Sequence, residues 1–211
     1  MTTLTTNTIA TWLRLFTSDV VANVDELTQL DAAIGDADHG SNMERGMTAV
    51  VDGLADSPDL PGPLLKKAGM TLVSKVSGPL YGTLLLRMAG AIGDSSEIDG
   101  PTLAAALRAG LAGVVDRGHA QPGDKTMFDA LNPACDALDA ALADGAALPK
   151  ALQVAADAAA AGRDSTVDMV ARKGRASYLG ERSVGHQDPG ATSAAMLVDA
   201  LAEAVNATGT S

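Results

Sequence analysis

Apolar residues recur at intervals of three and four along almost the whole chain, and this spacing limits the fold more than any other feature. It places apolar side chains on one face of an α-helix. No segment shows the alternation of apolar and polar residues that is typical of a half-buried strand. The predicted helices cover residues 9–20, 20–27, 43–54, 64–76, 84–92, 103–114, 128–142, 148–171 and 196–205. We therefore predict an all-α fold with short loops.

The composition favours a single helical domain. The chain has 211 residues, enough for one large domain or two small ones. Because no Pro/Ser-rich linker or charge block divides it, we predict one domain over residues 1–211. Apolar residues make up 46% of the chain but aromatic residues only 2%. Alanine and leucine therefore form the core, which favours closely packed helices over strands with bulky side chains.

The acidity of the chain excludes one class of partner. The net charge is −11 and the isoelectric point about 4.5, whereas a nucleic-acid interface needs basic residues against the phosphates. No signal peptide and no apolar run of membrane-spanning length is visible, so we expect no membrane contact. The single cysteine, Cys135, lies on an apolar helical stripe. It cannot form an internal disulfide, which fits a reducing cytoplasm.

A carboxylate-rich loop follows the second predicted helix. The apolar stripe of residues 20–27 reaches Asp31 at its next position, so a costly carboxylate stands where the helix should face the core. Gly35 permits a sharp turn, and Asp36 and Asp38 follow it. Clustered hard oxygen ligands suit Mg²⁺. We predict that these three aspartates bind metal; the alternative is that they only form turns.

The next helical stripe begins at Met43, directly after these carboxylates. Its N-terminal amides lie beside them, and helix N-termini favour phosphate. The local interpretation is therefore a metal together with a phosphate. His39 could be a ligand, a base or a turn residue beside phosphate. Because imidazole is an unusual ligand for Mg²⁺, we favour a contact with phosphate or with a metal ligand.

Four polar, glycine-containing loops interrupt the apolar pattern, at residues 31–42, 77–83, 117–126 and 172–193. In a bundle of alternating helices, loops of one parity gather at one end, so we predict a site there. The third loop lacks the spacing of a P-loop and the chain has no dinucleotide fingerprint. The fourth contains the one basic cluster of an acidic chain, which favours an anion or an acidic partner. The alternative is that all four are solvated turns.

Four segments together resemble the ADP-binding L subunits of bacterial dihydroxyacetone kinases, the form driven by phosphoenolpyruvate. They are Gly35-Asp36-Ala37-Asp38-His39-Gly40 with Asn42-Met43, Ser77-Gly78-Pro79-Leu80-Tyr81-Gly82-Thr83, Pro122-Gly123-Asp124-Lys125-Thr126-Met127, and the run from Ala171 to Ser193. The resemblance spans nearly the whole chain.

This resemblance implies a barrel of about eight antiparallel amphipathic helices with the nucleotide at one end. Three aspartates hold ADP through two Mg²⁺ in that family, and they match Asp31, Asp36 and Asp38. Met127 would touch the base. The implied nucleotide contacts are His39, Gly40, Ser41, Asn42, Ser77, Gly118, Met127, Arg175, Asp188, Pro189 and Gly190.

The resemblance also implies partners. A phosphohistidine on a phosphotransferase M subunit would rephosphorylate the bound ADP, and the phosphoryl group would pass to dihydroxyacetone on a K subunit. This chain would supply no catalytic base or nucleophile, and it would form a homodimer in the cytoplasm. A transcription regulator is a further expected partner.

One segment departs from the family pattern. Lys75-Val76 precedes Ser77 where the family usually has Gly-Gly-Ala, whose backbone would let amides approach phosphate closely. Two alternatives therefore stay open. One is a kinase component that exchanges free ATP and serves another short ketose. The other is a regulatory module that signals its nucleotide state.

Overall fold

The computed structural model describes residues 2–75 and 80–208. In these ranges the chain forms nine α-helices, and the one strand-like feature is a bridge between Leu4 and Ile98. The helices are α1 (Thr6–Ala22), α2 (Val24–Ile34), α3 (His39–Asp52), α4 (Pro61–Lys75), α5 (Leu80–Ile92), α6 (Gly100–Gly118), α7 (Phe128–Ala143), α8 (Leu148–Ser165) and α9 (Pro189–Thr208). Short 3₁₀ segments lie at Leu54–Asp56, Thr166–Asp168 and Arg175–Ser183. The predicted all-α fold is confirmed.

Eight of these helices form a closed ring. From α3 to α9 each helix packs against the next, α9 packs against α1, and α1 returns to α3. The remaining helix, α2, packs outside this order against α3 and α9. The ring matches the expected barrel of about eight helices, and α2 brings the aspartate loop to its end.

Several helix boundaries differ from the sequence prediction, and two of the differences interrupt a predicted helix. The stripe of residues 20–27 crosses a break at Asn23, whose backbone N–H and side-chain amide both donate to the Asp19 carbonyl, at 3.0 and 2.8 Å. Asn23 is the C-cap of α1, and its side chain bonds back to the last turn of the helix. The helix predicted over residues 148–171 ends at Ser165, because the chain turns through Thr166–Asp168. The last residue of the predicted 64–76 helix, Val76, lies outside the described residues.

Helix starts follow the capping residues of the sequence. Asp99 accepts a hydrogen bond from the Thr102 N–H at 2.8 Å before α6, and Pro101 occupies the first turn. Before α7, the Thr126 hydroxyl accepts from the Phe128 N–H at 3.1 Å. Asp129 accepts in return from the Thr126 N–H at 2.8 Å, a reciprocal cap that fixes where the third polar loop ends.

Most buried apolar residues form one cluster inside the ring of helices, and a small second cluster contains Ile34, Ala171 and Ala176. Trp12 is fully buried and donates its indole N–H to the Leu197 carbonyl at 2.8 Å, which joins α1 to α9. Cys135 is buried, and burial raises the pKa of its thiol to about 12. Its predicted role as a core residue is therefore confirmed. Among the described residues no helix is long and apolar enough to cross a bilayer.

Candidate metal and nucleotide site

A cavity of about 560 Å³ lies where the predicted polar loops meet. Residues from all four loops line it, although residues 77–79 of the second loop lie outside the described part of the chain. The end of α2, the starts of α3, α5 and α9, and the end of α6 border it. The prediction that these loops gather at one end is confirmed for the described residues.

Three carboxylates form a cluster on one wall of the cavity. Asp31, Asp36 and Asp38 each offer an oxygen, and these atoms all lie within 4.8 Å of one another. Asp31 is buried in the last turns of α2. Its Oδ2 accepts hydrogen bonds from the backbone N–H groups of Asp38 at 2.8 Å and His39 at 3.1 Å. A buried carboxylate beside two others is the hard-oxygen donor set that suits Mg²⁺.

The backbone after α2 passes unusually close to Asp31. A Cβ on Gly35 would stand 2.0 Å from the Asp31 Oδ1 atom, so any larger residue there requires the Asp31 carboxylate to move. Ala37 has a φ of 61°, a left-handed conformation that is uncommon outside glycine. Such backbone persists where the surroundings fix it, and it is found often at functional sites. The loop is therefore shaped around the carboxylates.

His39 begins α3 and belongs to a buried chain of hydrogen bonds. Its Nε2 lies 2.9 Å from the Ser193 hydroxyl of α9, which lies 2.6 Å from the Tyr81 hydroxyl of α5. Burial lowers the pKa of His39 although Asp31 and Asp38 oppose this shift, and burial raises the pKa of Tyr81. The chain connects three helices at the cavity and fixes one imidazole nitrogen toward Ser193.

A buried lysine joins the third and fourth loops. Lys125 is 1% exposed and has a φ of 63°. Its ammonium donates to carbonyls of Thr166 at 2.8 Å, Met169 at 3.1 Å and Ser183 at 2.7 Å, and also to the carbonyl of His186. Burial lowers its pKa, against the attraction of Asp188 and Asp168. The cavity wall over residues 166–186 is thus held to the start of α7.

Two further carboxylates are buried near the cavity; Asp188 lines it and Asp129 does not. Asp129 accepts from the Gly123 N–H at 2.6 Å as well as from Thr126. Asp188, at the start of α9, accepts from the Ala191 N–H at 2.7 Å. Burial raises the pKa of Asp188 to about 7; the field of Asp129 adds to this shift, and the Ala191 N–H and Lys125 oppose it.

Most of the residues predicted for the site line this cavity. They are Asp31, Asp36, Asp38, His39, Asn42, Gly118, Met127, Arg175, Asp188, Pro189 and Gly190. Two do not line it: Gly40 is buried against the Val24 carbonyl of α2, and Ser41 is exposed and donates to the Asp38 carbonyl at 3.0 Å. Ser77 lies outside the described residues.

Sequence reasoning missed the structural importance of Lys125, Tyr81 and Ser193. All three stand in the quoted segments, but nothing local distinguishes them from ordinary loop or helix residues. The Lys125 acceptors lie 41 to 61 residues further along the chain. The sequence shows only a lysine in a glycine-containing loop beside apolar residues. That pattern does not show which distant carbonyls the side chain binds.

The cavity combines groups for a cation with groups for an anion. Asp36 forms an ion pair with Arg175, with 3.0 Å between Oδ2 and Nε, and Lys173 also lines this side. A diphosphate with a divalent cation meets both requirements in a protein of net charge −11.

One family model and several known proteins match most of this chain. The model of the DAK2 domain matches residues 33–203. The chain is 45% identical over 198 residues to the PEP-dependent dihydroxyacetone kinase, ADP-binding subunit DhaL, of Escherichia coli (strain K12), covering 92% of this chain and 94% of that protein. It is 40% identical over 206 residues to the PTS-dependent dihydroxyacetone kinase, ADP-binding subunit DhaL, of Lactococcus lactis, covering 96% and 99%.

A solved structure shares the fold. The crystal structure of the dihydroxyacetone kinase from C. freundii in complex with AMP-PNP and Mg²⁺ superposes with a TM-score of 0.71 at 30% identity. The match covers 92% of this chain but 33% of that longer chain.

Proposed function

The chain belongs to the DAK2 domain family, and from that premise we propose that it is the ADP-carrying subunit of a phosphoenolpyruvate-dependent dihydroxyacetone kinase. The observation that carries the proposal is the cavity in which three clustered carboxylates face Arg175. In this function a phosphoryl group passes from a phosphohistidine of the M subunit, by way of the bound nucleotide, to dihydroxyacetone on the K subunit.

Asp31, Asp36 and Asp38 are the residues that would hold magnesium, and we propose that they hold two ions. The clustered oxygens, one of them on a buried side chain, support this assignment. Bound Mg²⁺ supplies positive charge against the phosphate oxygens, which also offsets charge that develops during transfer. The two amides on Asp31 orient its carboxylate toward the cluster.

The other cavity residues would hold the nucleotide. Arg175 brings a guanidinium to the carboxylate wall, where it can contact phosphate. Met127 is buried beside Gly190 and offers an apolar surface for the base. Phosphoryl transfer depends mainly on positioning and charge neutralisation, so the chain needs no base or nucleophile of its own.

A reconstituted assay tests this function. The nucleotide-stripped chain is mixed with ADP, Mg²⁺, K subunit and phosphorylated M subunit, and dihydroxyacetone phosphate is measured. We expect product with the wild type and none with Asp36→Ala, which loses a metal ligand. Asp52→Ala, an exposed change at the end of α3, serves as the control and should keep full activity.

Three outcomes would contradict the proposal. Asp36→Ala protein that retains stoichiometric ADP and Mg²⁺ would overturn the metal assignment. Wild-type protein that binds ADP but makes no product would indicate the nucleotide-sensing alternative. Rapid loss of nucleotide on gel filtration, with activity on free ATP, would indicate the exchanging kinase.

A further inference from the structure

One aromatic side chain is exposed while the other four are buried. The chain has five aromatic residues. Trp12, Phe16, Tyr81 and Phe128 are at most 8% exposed, whereas Tyr178 is 86% exposed. An exposed tyrosine leaves a large apolar ring in water, and tyrosine is enriched at protein interfaces.

Two unpaired basic side chains flank Tyr178 in the sequence. Arg172 and Arg182 are exposed, and among the described residues 2–75 and 80–208 neither forms an ion pair. On the described helices, Arg87, Arg108 and Arg163 pair with nearby aspartates, whereas Arg14, Arg45 and Arg117 form no ion pair. The segment of residues 172–182, which we call the basic rim, contains four basic side chains and one acidic side chain, Glu181. Of the four, Arg175 alone forms an ion pair with a described residue, Asp36, so the rim keeps a positive charge.

The first half of the basic rim lines the cavity. Arg175 lines the cavity, and Tyr178 follows it by three residues in the same 3₁₀ segment. The basic rim therefore joins the wall of the cavity to the exposed Tyr178 ring.

The basic rim is held firmly to the body of the protein. Lys125 binds the carbonyls of Ser183 and His186 just after it, and Ala176 packs with Ile34 at the end of α2. The Ser183 hydroxyl accepts from the Ala171 N–H at 2.8 Å, which fixes the two ends of the rim together. A preordered surface costs little conformational entropy on binding.

We propose that the basic rim is the docking surface for the phosphohistidine-bearing donor protein; this inference rests on the proposed function. The partner has an acidic surface around its phosphohistidine and a recess for the Tyr178 ring. A phosphohistidine carries two negative charges, and it approaches a protein of net charge −11. Local positive charge offsets that repulsion and steers encounter. The ketose on the K subunit is uncharged and needs no such attraction.

In the phosphoryl transfer that follows docking, one bond breaks and one bond forms. The P–N bond of the donor breaks, and a P–O bond forms to the terminal oxygen of ADP. The imidazole of the donor takes up one proton from solvent. Neither Tyr178 nor the two flanking arginines takes part in this bond exchange.

Steady-state transfer from the donor tests the docking surface. ATP formation is measured at saturating ADP and Mg²⁺ while the concentration of phosphorylated M subunit is varied. For Tyr178→Ala and for Arg182→Glu we expect the half-saturating donor concentration to rise about tenfold. We expect ADP affinity to stay at the wild-type value. Matched controls are Val21→Ala and Arg14→Glu, both exposed on α1.

Salt gives a second measurement. The wild-type half-saturating donor concentration should rise with NaCl, because screening weakens an interaction between charged surfaces. The Arg182→Glu protein should show a flatter dependence. The same two variants are also assayed with the K subunit as the varied component.

The outcomes separate this inference from the proposed function. Wild-type protein that receives no phosphoryl group from the donor contradicts the proposed function. Wild-type activity together with an unchanged donor requirement in both variants overturns the docking surface alone. A rise confined to the K subunit also overturns it, because the rim would then bind the acceptor subunit.

Discussion

At the scale of single residues, the site depends on how closely the backbone passes Asp31. The Gly35 backbone leaves no room for a Cβ beside the carboxylate. The sequence identified Asp31 because a carboxylate interrupts an apolar helical stripe, and the structure shows it buried with two amide donors. Lys125 could not be identified in this way, since its acceptors are brought to it only by the complete fold.

Gly35→Ala should disable the metal cluster without unfolding the protein. The new Cβ would stand 2.0 Å from the Asp31 Oδ1, so the carboxylate must move away from its partners. We expect ADP affinity in Mg²⁺ to fall by about tenfold or more, measured by calorimetry. Gly90→Ala, where no heavy atom lies within 4 Å of the added Cβ, is the control. Equal affinity in the two variants would contradict this role of Gly35.

Asp188 should make stability depend on pH. Its pKa is raised from 3.8 to about 7 in the folded protein, so the folded state binds more protons between these values. The contribution of Asp188 to the free energy of unfolding is fully present below pH 4 and is lost as pH rises through 7. Relative to Asp188→Asn, the nucleotide-free wild type should lose roughly 1–4 kcal/mol over this range.

Urea unfolding between pH 4 and 8 measures this difference, and Asp52→Asn is the exposed control. If the difference in unfolding free energy between wild type and Asp188→Asn stays constant with pH, the pKa of Asp188 is not raised in the folded protein.

At the scale of elements, α7 and α8 pack closely at a point where one backbone hydrogen bond of α7 is missing. Pro133 has no N–H, so the Asp129 carbonyl, four residues earlier, lacks its helical donor. Gly162 of α8 lies against that carbonyl, where a Cβ would stand 2.1 Å from the oxygen. Helical spacing predicted both helices, but it could not show that one glycine and one proline face each other across them.

Gly162→Ala should therefore destabilise the protein although alanine favours helix. Overpacking against a backbone carbonyl costs about 1–3 kcal/mol, whereas Gly90→Ala in α5 should gain about 0.5–1 kcal/mol. Thermal and urea unfolding of the two variants measures the contrast. Stabilisation by both substitutions would show that α8 can move away from α7 freely.

Lys125→Met tests the connection between loop elements. The four carbonyls would lose their buried donor, and we expect a loss of about 3 kcal/mol in unfolding free energy. Hydrogen exchange should increase over residues 166–187 while the helices keep their protection. Lys150→Met, on an exposed lysine of α8, is the control. Unchanged exchange over that segment would mean that Lys125 does not hold it.

At the scale of the whole molecule, the fold of an acidic chain brings basic side chains together around a cavity at one end of the ring. The ring of eight helices brings described residues of four polar loops together, and those loops carry the carboxylates and basic groups that we propose bind cations and phosphate. Periodicity predicted the fold class, and loop parity predicted where the site lies. The closing contact of α1 with α9 joins residues far apart in the chain, so no local pattern could indicate it.

We propose that the aspartate cluster binds nucleotide through divalent metal. Calorimetric titration of ADP into the nucleotide-stripped chain, with Mg²⁺ and then with EDTA, measures how far ADP binding depends on the metal. We predict that removal of Mg²⁺ weakens binding by about a hundredfold, and that Asp36→Ala binds weakly in both conditions. Equal ADP affinity of the wild type with Mg²⁺ and with EDTA would contradict the claim.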